Sequence, residues 1–213
     1  MRFIYLHGFA SGPQSGKAQF FFRQFAERGV ALEIPDLVEG DFEELTITGQ
    51  LNVLERVAKG EPVSLIGSSM GGYLAALYAS RHPETEKLVL LAPAFQFVHR
   101  WAQEIGSERA ADWERTGRFE VFHYGEGRSR NIGWNLIADG RKYDAEPSFS
   151  QPALIFHGTD DTVVPSDYSV AFAARHPNVK LHLMASDHQL TDVTQVMWEE
   201  MAPFLFGRPL GRN

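Results

Sequence analysis

Short apolar runs alternate with stretches of helical period along most of this chain. Phe3–Leu6, Ala31–Ile34, Val63–Ile66, Leu88–Leu91, Ala153–Phe156 and Val179–Leu183 are strand-length, and several are almost unbroken Val, Leu and Ile. Unbroken runs are what strands buried on both faces look like, whereas a sheet with one wet face alternates apolar and polar residues. Helical patterns fill the gaps: about Lys17–Arg28, a stretch from near Thr48 with Leu51, Leu54, Val57 and Ala58 on one face, Met70–Arg81, Pro165–Arg175 and Thr191–Phe204. The alternation predicts an α/β fold with a mostly parallel central sheet and helices on both faces.

The rhythm breaks once, between Ala94 and Gln151. That stretch holds Phe95, Phe97, Trp101, Trp113, Phe119, Phe122, Tyr124, Trp134, Tyr143 and Phe149. Aromatic residues at this density bury surface, so the stretch is no disordered linker. It reads as a cap-like insertion, residues 94–151, packed over one end of a single domain that spans residues 1–213. The polar end, Gly207–Asn213, is expected to be loose.

Composition narrows the function. At 213 residues the chain suits one domain, and 44% hydrophobic with 22% charged residues is ordinary globular stock. A formal net charge of −7 argues against nucleic acid as a partner. With no cysteine, disulfides, thiolate zinc sites and a cysteine nucleophile are excluded. No run approaches the roughly 18 apolar residues of a membrane span. The apolar start stops at His7-Gly8, too short for a signal peptide, so a cytoplasmic location is expected.

The chemistry gathers in the loops that follow strands. Val63–Ile66 runs into Gly67-Ser68-Ser69-Met70-Gly71-Gly72 and then a helix. This is G-x-S-x-G, with Ser69 as candidate nucleophile on a sharp strand-to-helix turn. Ser68 does not fit the frame, because Ile66 and Met70 would stand where glycines are needed. A glycine-rich turn without chemistry has the same letters, and the flanking strand and helix favour the nucleophile. His7-Gly8-Phe9 directly follows the first strand. The amides of Phe9 and Met70 are the expected oxyanion donors, with His7 supporting the loop.

After Ala153–Phe156 comes His157-Gly158-Thr159-Asp160-Asp161-Thr162-Val163-Val164-Pro165. Either aspartate could be the acid of a triad, and either could instead shape the turn or cap the next helix. Of the 8 histidines, His188 alone combines a strand-end loop with the order Ser, Asp, His. Its neighbour Asp187 reads as a cap for the last helix.

In these residues the chain resembles the α/β-hydrolase superfamily over nearly its whole length. His7-Gly8-Phe9, Gly67–Gly72, Gly158–Pro165 and Ser186-Asp187-His188 match in order. The family's G-x-x-D-x-V/I-V-P run aligns its aspartate with Asp161. The chain looks like the small YqiA/YcfP-type esterases, and is similar to the mitochondrial abhydrolases with palmitoyl thioesterase activity. The resemblance implies a serine esterase or thioesterase with catalytic Ser69, Asp161 and His188, acting on a small-molecule ester or thioester without metal or organic cofactor. A peptidase or amidase on the same triad, and a non-catalytic binding member of the fold, are the competing readings.

Phe95 and Phe97, just after the strand Leu88–Leu91 and Pro93, are the expected acyl-pocket walls. Arg100, Arg118, Arg128, Arg130, Arg141 and Lys142 cluster in the insertion. They read as a solvated face balanced by Glu104, Glu108, Glu114 and Glu126, with attraction of an acidic substrate as the alternative.

Overall fold

The computed structural model describes residues 1–207; the remainder of the expected loose end, 208–213, lies outside the described residues. Five strands form a fully parallel sheet in the order β1-β2-β3-β6-β7: β1 Arg2–Leu6, β2 Val63–Ser68, β3 Lys87–Leu91, β6 Ala153–Gly158 and β7 Val179–Met184. The unbroken apolar runs have the expected cause. Along β1, Ile4 and Leu6 enter the core on one face, while Phe3 and Tyr5 enter the core on the other. Strand β3 does the same with Leu88 and Leu90 against Val89 and Leu91. Period-two side chains meet a dry layer on each side, so neither set is polar.

On one face lie α1 (Gly16–Ala26) and α8 (Thr194–Phe206), joined through Phe21, Phe25, Trp198 and Leu205. The other face carries α2 (Ile47–Ala58), α3 (Met70–Ala79) and α7 (Asp167–Arg175). Every residue of α3 is buried, as a helix apolar on all sides requires.

The run Ala31–Ile34 forms no strand. It makes one parallel bridge, Glu33 to Ile4, in which the Glu33 amide donates to the Phe3 carbonyl and the Tyr5 amide donates to the Glu33 carbonyl. Pro35 follows at once and has no N–H to extend a ladder.

The segment 94–151 contains α4 (Phe97–Glu104), α5 (Ser107–Thr116), an antiparallel hairpin of β4 (Arg118–His123) and β5 (Arg128–Gly133), and α6 (Asn135–Gly140). Trp113 is fully buried at its centre, ringed by Trp101, Phe119 and Trp134 at 4.9–5.3 Å. This cluster is continuous with the core under α2 and α3, so most of the aromatic residues serve packing.

Candidate active site

Strand β2 passes straight into α3 through Ser69, whose φ of 54° and ψ of −116° are unusual for a residue with a side chain. The surroundings hold that geometry in place. Its amide donates to the Leu91 carbonyl at 2.8 Å, and its carbonyl accepts the amides of Gly72, Tyr73 and Ala94 at 2.9–3.1 Å. A Cβ on Gly67 would collide with the backbone of Gly71, and one on Gly71 with the carbonyls of Leu6 and His7. The turn therefore closes only with glycine at both positions. Ser68 is buried, whereas Ser69 is half-exposed.

The loop after β1 lies directly against this turn. A Cβ on Gly8 would stand 3.3 Å from that of Ser69. His7 is buried; its Nδ1–H donates to the Gly8 carbonyl at 3.0 Å, and its Nε2 accepts the Leu37 amide at 3.1 Å. Burial pushes the His7 imidazole below the ordinary histidine range, in keeping with that neutral, supporting role. Among the described residues, the amides of Phe9 and Met70 donate to no protein acceptor.

The loops after β6 and β7 bring the acid and the imidazole to Ser69. His188 Nε2 lies 3.0 Å from Ser69 Oγ, and His188 Nδ1 lies 2.7 Å from Asp161 Oδ2. The Asp161 side chain has no exposed surface, and that of His188 is 13% exposed. Asp161 Oδ1 accepts the amides of Val163 and Val164 at 2.9 and 2.7 Å. Burial works to raise this carboxyl, but the donors from His157, His188 and Val164 outweigh it and hold it far below the usual carboxylate range. Of the two adjacent aspartates, Asp161 is the one at His188, and Asp160 faces solvent. Gly158 makes the approach of the two loops feasible, since a Cβ there would strike the carbonyls of Ser186 and Asp187.

Some expected residues stand elsewhere. Phe95 has no exposed surface and stacks on Phe172 of α7 at 4.3 Å. It packs within the core under α7. Phe97 is half-buried, 6.1 Å from Phe9 and 5.3 Å from Trp101 between ring centroids. A cleft of about 630 Å³ opens between the loop Ser11–Gly16, the hairpin tip at Tyr124 and Gln189, and neither Phe95 nor Phe97 borders it. Asp187 does not cap α8, which begins six residues beyond His188; it accepts the Gln189 amide and tightens the His188 turn.

Most of the basic cluster of the insertion is paired in place. Arg118 pairs with Glu43, Arg128 and Arg130 with Glu126, and Lys142 with Asp139, while Arg141 lies over the Trp134 ring. Arg100 is buried and not solvated. It bonds Glu104 and donates to the Val163 carbonyl at 2.8 Å, which ties α4 to the loop of Asp161.

Sequence reasoning passes over two residues near the site. His157, at the end of β6, is fully buried beneath Asp161. Lys17 is 8% exposed and heads the buried stripe Lys17-Phe21-Phe25 of α1. Each leaves one signal: a polar residue in a register that otherwise belongs to the core.

Solved structures share this architecture at low identity. Alpha/beta hydrolase domain-containing protein 10 from mouse is 20% identical with a TM-score of 0.82, over 95% of this chain and 88% of that one. Est1E from Butyrivibrio proteoclasticus is 23% identical with a TM-score of 0.67, over 94% and 88%. A structure from the metagenome-derived lipolytic enzymes LipS and LipT is 17% identical with a TM-score of 0.74, over 95% and 92%. These likenesses establish the α/β-hydrolase fold. No curated protein matches the chain. The model of the uncharacterised protein family UPF0227 matches residues 2–205, a span that takes in the Ser69 turn and the loops of Asp161 and His188, and the chain belongs to that family.

Proposed function

We propose that this protein is a serine hydrolase that cleaves a carboxylic ester or thioester through Ser69, His188 and Asp161. The observation that carries the reading is the unbroken relay from Ser69 Oγ to His188 Nε2 at 3.0 Å and from His188 Nδ1 to Asp161 Oδ2 at 2.7 Å. Asp161, held as an anion, fixes His188 with its proton on Nδ1, so that Nε2 is free to act as base. Ser69 Oγ attacks the carbonyl carbon while its proton passes to Nε2. The Phe9 and Met70 amides receive the oxyanion, and the positive end of α3 adds to their effect. As the tetrahedral adduct collapses, His188 returns the proton to the leaving alcohol or thiol, and an acyl-Ser69 ester remains. Water, deprotonated by the same imidazole, then releases the acid and restores Ser69.

The lipolytic enzymes that share the fold support an ester as the bond cleaved. The experiment is a panel of nitrophenyl esters and neutral acyl thioesters of graded chain length, run on wild type, Ser69→Ala and Ser68→Ala. Turnover that peaks at short-to-medium chains, vanishes in Ser69→Ala and survives in Ser68→Ala is the expected result. Turnover that survives Ser69→Ala contradicts the reading. Peptide turnover without ester turnover would replace it with the amidase alternative.

A further inference from the structure

His157 occupies a position where an apolar residue would serve packing equally well. It ends the run Ala153–Phe156 on β6, and its side chain has no exposed surface. A buried imidazole costs stability unless its nitrogens are bonded, and here both are. Nδ1 lies 2.7 Å from Ser169 Oγ of α7. Nε2 lies 2.8 Å from the Val164 carbonyl and 3.1 Å from Asp161 Oδ2. Both partners of Nε2 are pure acceptors, so the proton sits on Nε2. Nδ1 then accepts a hydrogen bond from the Ser169 hydroxyl, so both ring nitrogens have partners.

We propose that His157 is a positioning residue for the hydrolytic reaction, clamping Asp161 from below so that its carboxylate keeps one orientation toward His188. The inference rests on the proposed roles of Asp161 and His188. With His157 in place, Asp161 has four donors: the Val163 and Val164 amides on Oδ1, and the two imidazoles on Oδ2. The amides alone hold one oxygen and leave the other free to swing. The second imidazole fixes the plane, and α7 fixes that imidazole through Ser169. Lys17 of α1 also bears electrostatically on this carboxylate.

The test compares wild type, His157→Leu and His157→Gln in kcat and KM, after circular dichroism has shown that each folds. His157→Leu removes the donor, and His157→Gln offers an amide N–H in its place. In His157→Leu, kcat is expected to fall about tenfold with KM little changed. His157→Gln is expected to recover most of the loss in kcat. A folded His157→Leu with wild-type kcat overturns the proposal, as does equal loss in both variants. Should His157→Leu fail to fold, imidazole nitrogen NMR on wild type and Asp161→Asn decides. The proposal requires a protonated Nε2 on His157 whose resonance moves in Asp161→Asn; a bare Nε2, or an unmoved one, overturns it. Fluorophosphonate labelling of wild-type Ser69 is measured alongside. Its absence refutes the hydrolase reading, whereas the NMR arm still tests the link between His157 and Asp161.

Discussion

Lys17 offers a sharp test of how this fold balances stability against its site. Lys17 is 8% exposed in the apolar stripe of α1, and among the described residues it forms no ion pair. Burial pushes it down to about 8 from the ordinary 10.5, against the opposing pull of Asp187 and Asp161. The difference between 10.5 and 8, at roughly 1.4 kcal/mol per unit, corresponds to about 3.5 kcal/mol that the charged lysine costs the folded state at pH 7. Methionine has nearly the same length and carries no charge, so Lys17→Met should raise stability by about 2–3 kcal/mol at pH 7. The sign with pH follows from proton counting. Between pH 8 and 10.5 the unfolded chain holds a proton on Lys17 that the folded protein has released, so wild-type stability gains on the variant as pH rises. By pH 10 the advantage of Lys17→Met should shrink to about 1 kcal/mol or less. Urea denaturation of both proteins at pH 7, 9 and 10 measures it. A variant less stable than wild type at pH 7, or an advantage that persists unchanged at pH 10, refutes the reasoning.

Three further substitutions test the assignment of single residues. Asp161→Asn, which lets His188 adopt the wrong tautomer, should lower kcat by about 10⁴-fold in a steady-state ester assay, while Asp160→Asn keeps most activity; the reverse ranking would place the acid one residue earlier. Phe95→Ala opens a cavity against Phe172 and should cost about 3–5 kcal/mol in thermal or urea unfolding without moving the chain-length optimum; a moved optimum at wild-type stability would return Phe95 to the substrate pocket.

Four of the five sheet strands are legible because burial on both faces leaves a nearly unbroken apolar run, as at Val63–Ile66 and Leu88–Leu91, whereas the edge strand β7 alternates and has no buried residue. Ala31–Ile34 has the same look and forms only a bridge, since Pro35 truncates it and pattern alone does not count ladder bonds. The hairpin is illegible for the opposite reason. Strand β5 reads Arg-Ser-Arg-Asn-Ile-Gly, and only its last two residues are buried, so no apolar run announces it. The candidate site is readable as a proposal because Phe9, Ser69, Asp161 and His188 each follow a strand of the sheet in the required order. Its supports are less so. His157 and Lys17 are single polar residues at core registers, and a sequence shows their letters without the acceptors and carboxylates that explain them. Arg100 reads as one more solvated charge until its bond to the Val163 carbonyl is seen.

The central claim is that Ser69 is a nucleophile activated by His188. Its most direct measurement is covalent labelling of the folded protein by a fluorophosphonate, with the modified residue located by mass spectrometry of the digested protein. The account predicts one adduct, on Ser69, retained in Ser68→Ala, lost in Ser69→Ala, and formed far more slowly in His188→Ala. An adduct on Ser68, or folded wild-type protein that takes no label, would contradict it.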